Sequence, residues 1–168
     1  DDPAPRPPAE DARPVVRRFV PARALGRDGQ GAASDRIGLG VIGFGSRGEY
    51  DLGAILPEKD VQCLAVCDVA KERRDRGKQM VDAHYGTQDC ATYRDLRELL
   101  AHPGIDAVLI ATGDRWHAQA SLLAAKAGKD IYCEKPCAVT MADIQALADG
   151  IHRYARVFQM GTQRRSVD

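Results

Sequence analysis

The segment Gly43-Phe44-Gly45-Ser46-Arg47-Gly48 directly follows the apolar run at 37–42. Gly-x-Gly-x-x-Gly at the end of a strand and the head of a helix admits few folds. A second apolar run ends at Asp68, twenty residues past Gly48. Glycines, strand, helix and acid in this order form a dinucleotide-binding fingerprint with a mechanism. Gly43 permits the tight turn, Gly45 lets a pyrophosphate approach the backbone, and Gly48 lets the helix pack on the strand. The free N–H groups and dipole at the helix start favour the phosphates.

Downstream, strand and helix patterns alternate. Strands are expected at 37–42, 61–67, near 90–91, and at 106–111, 130–133 and 157–160. Helices are expected from 46 to before Pro57, which cannot continue one, and at 70–84 and 116–127. Thr92-Tyr-Arg-Asp95 and Thr140-Met-Ala-Asp143 read as capping boxes opening two further helices. In the second of these, Ile144, Leu147, Ala148 and Ile151 recur at helical spacing. Six strands with intervening helices predict an α/β fold, a doubly wound parallel sheet of the Rossmann type with helices on both faces.

Residues 1–35 differ in character. They hold six of the nine prolines and a glycine-rich stretch. Such composition buries too little apolar surface to order itself, so it is read as a tail or leader remnant ahead of a dinucleotide-binding domain at 36–168. The expected compartment is the cytoplasm. Export is the alternative, if Arg17-Arg18 belongs to the remnant of a twin-arginine signal.

Lys and Arg total 24, as do Asp and Glu, so the formal charge is zero and nothing points to a nucleic-acid partner. There is no long apolar span to cross a membrane. The cysteines are Cys63, Cys67, Cys90, Cys133 and Cys137. Cys63 and Cys67 are expected on one face of one strand. No pair has a usual zinc spacing, so no metal site is expected and the thiols read as small buried hydrophobes.

Candidate ligand contacts fall just past the strand ends, where such sheets bind ligands. Asp68 can accept both ribose hydroxyls of an adenosine half and would repel a 2′-phosphate, which argues for NAD over NADP. An acidic helix cap is the alternative reading. Arg73 and Arg74 keep NADP open. After the fourth strand, Thr112 lies among small residues that let backbone run beside a cofactor, and Trp116 and His117 open a helix on the ligand edge. After the fifth, Glu134-Lys135-Pro136 puts a lysine where it could donate to a substrate oxygen.

Together these pieces resemble the Gfo/Idh/MocA oxidoreductase family, named for glucose–fructose oxidoreductase and inositol dehydrogenase. The matching residues are Val41 to Gly48, Cys67-Asp68, Ile110 to Gly113 with His117, and Tyr132 to Pro136, in the family's order over 36–165. The resemblance implies that Phe44, Ser46, Arg47 and Gly48, beside Gly43 and Gly45, line the pyrophosphate, and that Asp68 holds the ribose. Thr112, Trp116 and His117 would line the middle of the cofactor. Glu134 and Lys135 would sit at the nicotinamide, with Lys135 as the catalytic candidate. Family members carry a second, C-terminal domain that supplies the substrate pocket, further acid–base residues and commonly the oligomer interface. These would lie beyond Asp168.

The resemblance therefore implies the NAD-binding half of an oxidoreductase acting on a CH–OH group of a sugar or polyol, inactive alone and without its oligomer interface. A non-catalytic NAD-binding module and an NAD-dependent glycosidase of the same family are the alternatives.

Overall fold

The computed structural model describes residues 35–165. The tail expected at 1–35 lies almost wholly outside them. Six strands form one parallel sheet: β1 (Ile37–Ile42), β2 (Val61–Cys67), β3 (Ala91–Tyr93), β4 (Ala107–Ile110), β5 (Asp130–Glu134) and β6 (Phe158–Gly161). Their spatial order is β3-β2-β1-β4-β5-β6. The order reverses between β1 and β4, which opens a crevice at their carboxyl ends.

Helices α1 (Ser46–Ile55), α2 (Lys71–Tyr85), α3 (Leu96–Leu100), α4 (His117–Lys126) and α5 (Met141–Tyr154) cover both faces. Leu52 of α1 and Val81 of α2 pack with Leu39, Val41 and Phe44 on one side. Leu99 of α3 and Ala120, Ala124 and Ala125 of α4 pack with Val108, Ile110 and Ile131 on the other. The small alanine stripe brings α4 close to the sheet. A Cβ on Gly150 of α5 would collide with the Leu122 side chain, so that glycine sets how closely α5 approaches α4.

Several local expectations change in the fold. Thr92 lies inside β3, and Asp95 is the cap of α3, its side chain accepting from the Arg97 N–H. The Thr140 cap forms, with Oγ1 accepting from the Asp143 N–H at 3.1 Å. The helix expected at 116–127 starts as a single 3-10 turn, Asp114–Trp116, before α4 proper. In α5, Leu147 is buried and Ile151 half-buried, while Ile144 and Ala148 are exposed.

The thiols are also redistributed. The β1–β2 register skips from Leu39↔Cys63 to Gly40↔Ala65. This extra residue at Leu64 inverts the facing of the rest of the strand. Cys63 therefore joins the cluster under α1 and α2, and Cys67 joins the opposite one. All five cysteines are free thiols. Burial pushes Cys67 up to about 12 and Cys133 up to about 11, which keeps both protonated and unreactive.

Candidate functional site

The turn between β1 and α1 is built on backbone geometry. Gly43 has φ +89°, and a Cβ there would stand 2.8 Å from the Ala111 carbonyl. A Cβ on Gly48 would overlap the Gly43 carbonyl oxygen. These two glycines let the turn close against β4 and let α1 seat directly behind it. Gly45 differs. Around its Cβ position the only near atom among the described residues is an Arg73 guanidinium nitrogen at 4.0 Å. Gly45 is also the N-cap of α1 and offers no side-chain cap, and Gly45, Ser46 and Arg47 at that helix start line a cavity. An uncapped N-terminus facing a cavity suits an anion.

The cavity measures about 950 Å³, and its wall includes Gly43, Gly45, Ser46, Arg47, Asp68, Thr112 and Trp116. It lies over the carboxyl ends of β1, β2 and β4, where strand order reverses. Arg73, Arg94 and Arg97 extend the wall beside Asp68. Nothing in the sequence marks Arg94 and Arg97 for this site, because they sit among the charges of a short surface segment.

Asp68 is nearly buried, and both its oxygens are engaged. Oδ2 accepts from the Phe44 N–H at 2.8 Å and Oδ1 from the Ala70 N–H at 2.9 Å. The carboxylate thus ties the glycine turn to the start of α2. Arg73 approaches Oδ2 at 3.9 Å, and Arg74 donates to the Asp68 carbonyl at 2.6 Å.

Phe44, Gly48, His117, Glu134 and Lys135 are absent from the cavity wall. The Phe44 side chain is fully buried in the core under α1 and α2. His117 is 2% exposed. Its Nδ1 lies 2.6 Å from the Pro136 carbonyl and its Nε2 3.1 Å from that of Thr112. The imidazole therefore bridges the loops after β4 and β5 and sets their spacing. Lys135 is exposed and precedes a cis peptide bond to Pro136.

Glu134 belongs to a polar cluster that the sequence does not reveal. Side chains alternate along β5: Ile131 and Cys133 face α4, so Tyr132 and Glu134 face α1. Glu134 Oε1 meets Arg47 Nη2 at 2.9 Å, and Asp51 Oδ1 meets the same nitrogen at 2.8 Å. Gln163, just past β6, donates to Glu134 and, at 3.1 Å, to the Tyr132 hydroxyl. The only sequence-level signal was the i, i+4 spacing of Arg47 and Asp51.

A family model matches residues 37–162, and its description is an oxidoreductase family with an NAD-binding Rossmann fold. The chain belongs to the Gfo/Idh/MocA oxidoreductase family. Its described residues are the NAD-binding Rossmann domain of that family. A myo-inositol 2-dehydrogenase of Thermotoga maritima is 28% identical over 76% of this chain and 36% of its own length. A glycosyl hydrolase family 109 protein of Stenotrophomonas maltophilia is 33% identical over 74% of this chain and 27% of its own. Among solved structures, a scyllo-inositol dehydrogenase of Lactobacillus casei with bound NAD(H) and scyllo-inositol superposes with a TM-score of 0.71 at 26% identity. The match covers 79% of this chain and 38% of that one. The chain thus spans little more than a third of these Gfo/Idh/MocA dehydrogenases. Among the described residues, no helix is long and apolar enough to cross a membrane.

Proposed function

We propose that this chain is the cofactor-binding half of an NAD-dependent dehydrogenase acting on a polyol or sugar CH–OH group. The observation that carries the reading is the cavity over the strand-order reversal, with an uncapped helix N-terminus at one wall and Asp68 at another. Gly45, Ser46 and Arg47 would take the pyrophosphate, Asp68 the adenosine ribose, and Thr112 and Trp116 the middle of the cofactor. When bound, NAD would supply the hydride acceptor. His117 would act indirectly, by fixing the two loops through their carbonyls. Glu134 would position Arg47. Lys135 would donate to the substrate oxygen.

The glycosidase alternative draws support from the family 109 relative, at 33% identity. The two readings share the cofactor site and differ in what happens to the sugar.

Calorimetric titration of NAD and NADP tests the cofactor assignment. Tighter binding of NAD is expected, because the Asp68 carboxylate would face a 2′-phosphate. Equal affinity, or tighter NADP, would overturn the role given to Asp68, with Arg73, Arg94 and Arg97 the groups to blame.

A second measurement concerns turnover by the chain as it stands. Substrate positioning can supply about 7–11 kcal/mol of rate acceleration, and a placed base roughly a hundred- to ten-thousand-fold. Among the described residues only the exposed Lys135 is put forward for proton chemistry, and it serves better as a donor than as a base. NADH absorbance should not grow with myo-inositol or glucose. Sustained turnover abolished by Lys135→Ala would show that this chain holds a complete active site.

A further inference from the structure

We propose that Asp51 is a positioning residue that shares one proton with Glu134 on the flank of the cofactor site, and that dinucleotide binding draws this proton in. The proposal rests on the NAD-binding reading above.

Charges in this cluster do not balance. Asp51 is 7% exposed and Glu134 3%. Both carboxyl groups hang on a single nitrogen, Arg47 Nη2, at 2.8 and 2.9 Å. One guanidinium thus faces two buried carboxyl groups. Two ionised carboxylates this close are disfavoured, and holding one proton between them relieves the repulsion.

The hydrogen bonds say which group holds it. Glu134 accepts from Arg47, from the Gln163 amide and, at 3.1 Å, from the Lys135 N–H. That is the environment of an ionised carboxylate. Asp51 receives Arg47 on Oδ1, while its Oδ2 is buried with no hydrogen-bond partner among the described residues. A buried, unpartnered carboxylate oxygen is costly, and a proton there turns it into a donor.

The groups facing Asp51 are Arg47 from α1 and Tyr132 and Glu134 from β5, with Gln163 and the Lys135 backbone closing the far side of Glu134. Burial first, and then the Glu134 charge, push the Asp51 carboxyl up to about 6 against the pull of Arg47. For Glu134, burial is outweighed by Gln163, Arg47 and the Lys135 N–H, which hold it below the usual range.

Arg47 connects this pair to the cavity, whose wall it lines. A diphosphate at the head of α1 would add negative charge next to the one cation that compensates Asp51 and Glu134. Ionised Asp51 is then less tolerable in the complex than in the free protein, so its pKa is higher when the site is filled. Linkage fixes the sign of the pH dependence. Affinity is lowest and flat above the bound-state pKa. It climbs as pH falls toward about 6, and levels off below the free-state value. A one-unit displacement corresponds to about tenfold in affinity.

The test is calorimetric titration of NAD into the chain between pH 5.5 and 8, as about the span the titration needs, in two buffers of different ionisation heat. The wild-type chain should take up protons on binding near pH 6.5–7, about midway through the window, and bind NAD up to about tenfold tighter at the acid end. Asp51→Asn keeps an acceptor for Arg47 and an N–H toward Glu134, mimicking the protonated acid. It should bind NAD with no proton uptake and a flat profile. Absence of uptake in the wild type, or uptake that persists in Asp51→Asn, overturns the proposal. If no NAD binds at any pH, the cofactor reading falls, and the coupling with it. The placement of the proton is then still decided by carbon-13 carboxyl titration of the cofactor-free chain. A resonance titrating near pH 6 that disappears in Asp51→Asn supports Asp51 as the carrier. Its absence overturns that assignment.

Discussion

Gly48→Ala should lower the melting temperature sharply, whereas Gly45→Ala should leave it nearly unchanged and weaken NAD binding. The two glycines stand three residues apart in one motif but have opposite surroundings. A methyl on Gly48 would overlap the Gly43 carbonyl oxygen and touch the Ala111 side chain at 3.4 Å. Backbone cannot swing aside as a flexible side chain does. Relief requires α1 to lift from β1, disturbing the packing of the fully buried Leu52. Overpacking of this kind costs about 2–4 kcal/mol, or roughly 8–16 °C for a domain of this size.

Among the described residues a methyl on Gly45 meets only the far end of Arg73, at 4.0 Å. Its backbone, φ −82° and ψ −171°, is open to any L-residue. The fold should therefore lose about 0.5–1 kcal/mol at the helix cap, offset by about 0.4–1 kcal/mol from the reduced freedom of the unfolded chain. The methyl would, however, occupy the space the pyrophosphate is proposed to fill. A loss of about ten- to a hundredfold in NAD affinity is expected, about 1.4–2.8 kcal/mol. Paired thermal melts and calorimetric titrations read both effects. Equal loss of melting temperature in both variants would refute the division of labour. Undiminished NAD affinity in folded Gly45→Ala would place the pyrophosphate elsewhere.

Asp68→Ala should reduce stability and NAD affinity together. Before the fold is known, Asp68 offers two separate readings, a ribose acceptor or a helix cap, and the first alone would spare stability. In the structure the carboxylate accepts the N–H groups of Phe44 and Ala70. The first of these belongs to a completely buried residue. Removing the acceptor orphans it, at about 1–3 kcal/mol, or roughly 4–12 °C. The glycine turn also loses its tie to α2, so the proposed pyrophosphate and ribose contacts loosen at once. NAD affinity should drop about tenfold or more, and NADP much less, because the repulsion of its 2′-phosphate disappears as well. Asp68→Asn retains one acceptor oxygen and should recover part of the melting temperature. An Asp68→Ala chain that melts like the wild type would show that the two N–H groups find other partners.

Six strands and a parallel α/β class are legible in local pattern alone, because runs such as Val41-Ile42 and Val108-Leu109-Ile110 are apolar on both faces and alternate with helical patterns. The glycine turn and the acid at Asp68 are legible too, because the turn residues and the end of the second apolar run lie close together along the chain. These are local constraints, felt within about twenty residues. The rest comes from long-range packing. The residue inserted at Leu64 sent Cys63 and Cys67 to opposite faces, which no count of alternation reveals. His117 became a bridge between two loops because β4 and β5 are neighbours, so the carbonyls of Thr112 and Pro136 both come within its reach. Arg47 and Glu134 are 87 residues apart and meet only because α1, packed over β1 and β4, shares a sheet face with Tyr132 and Glu134. Local preference sets what each segment becomes. Which charges end up buried on one guanidinium depends on strand order and register, and these are settled only when the whole sheet packs.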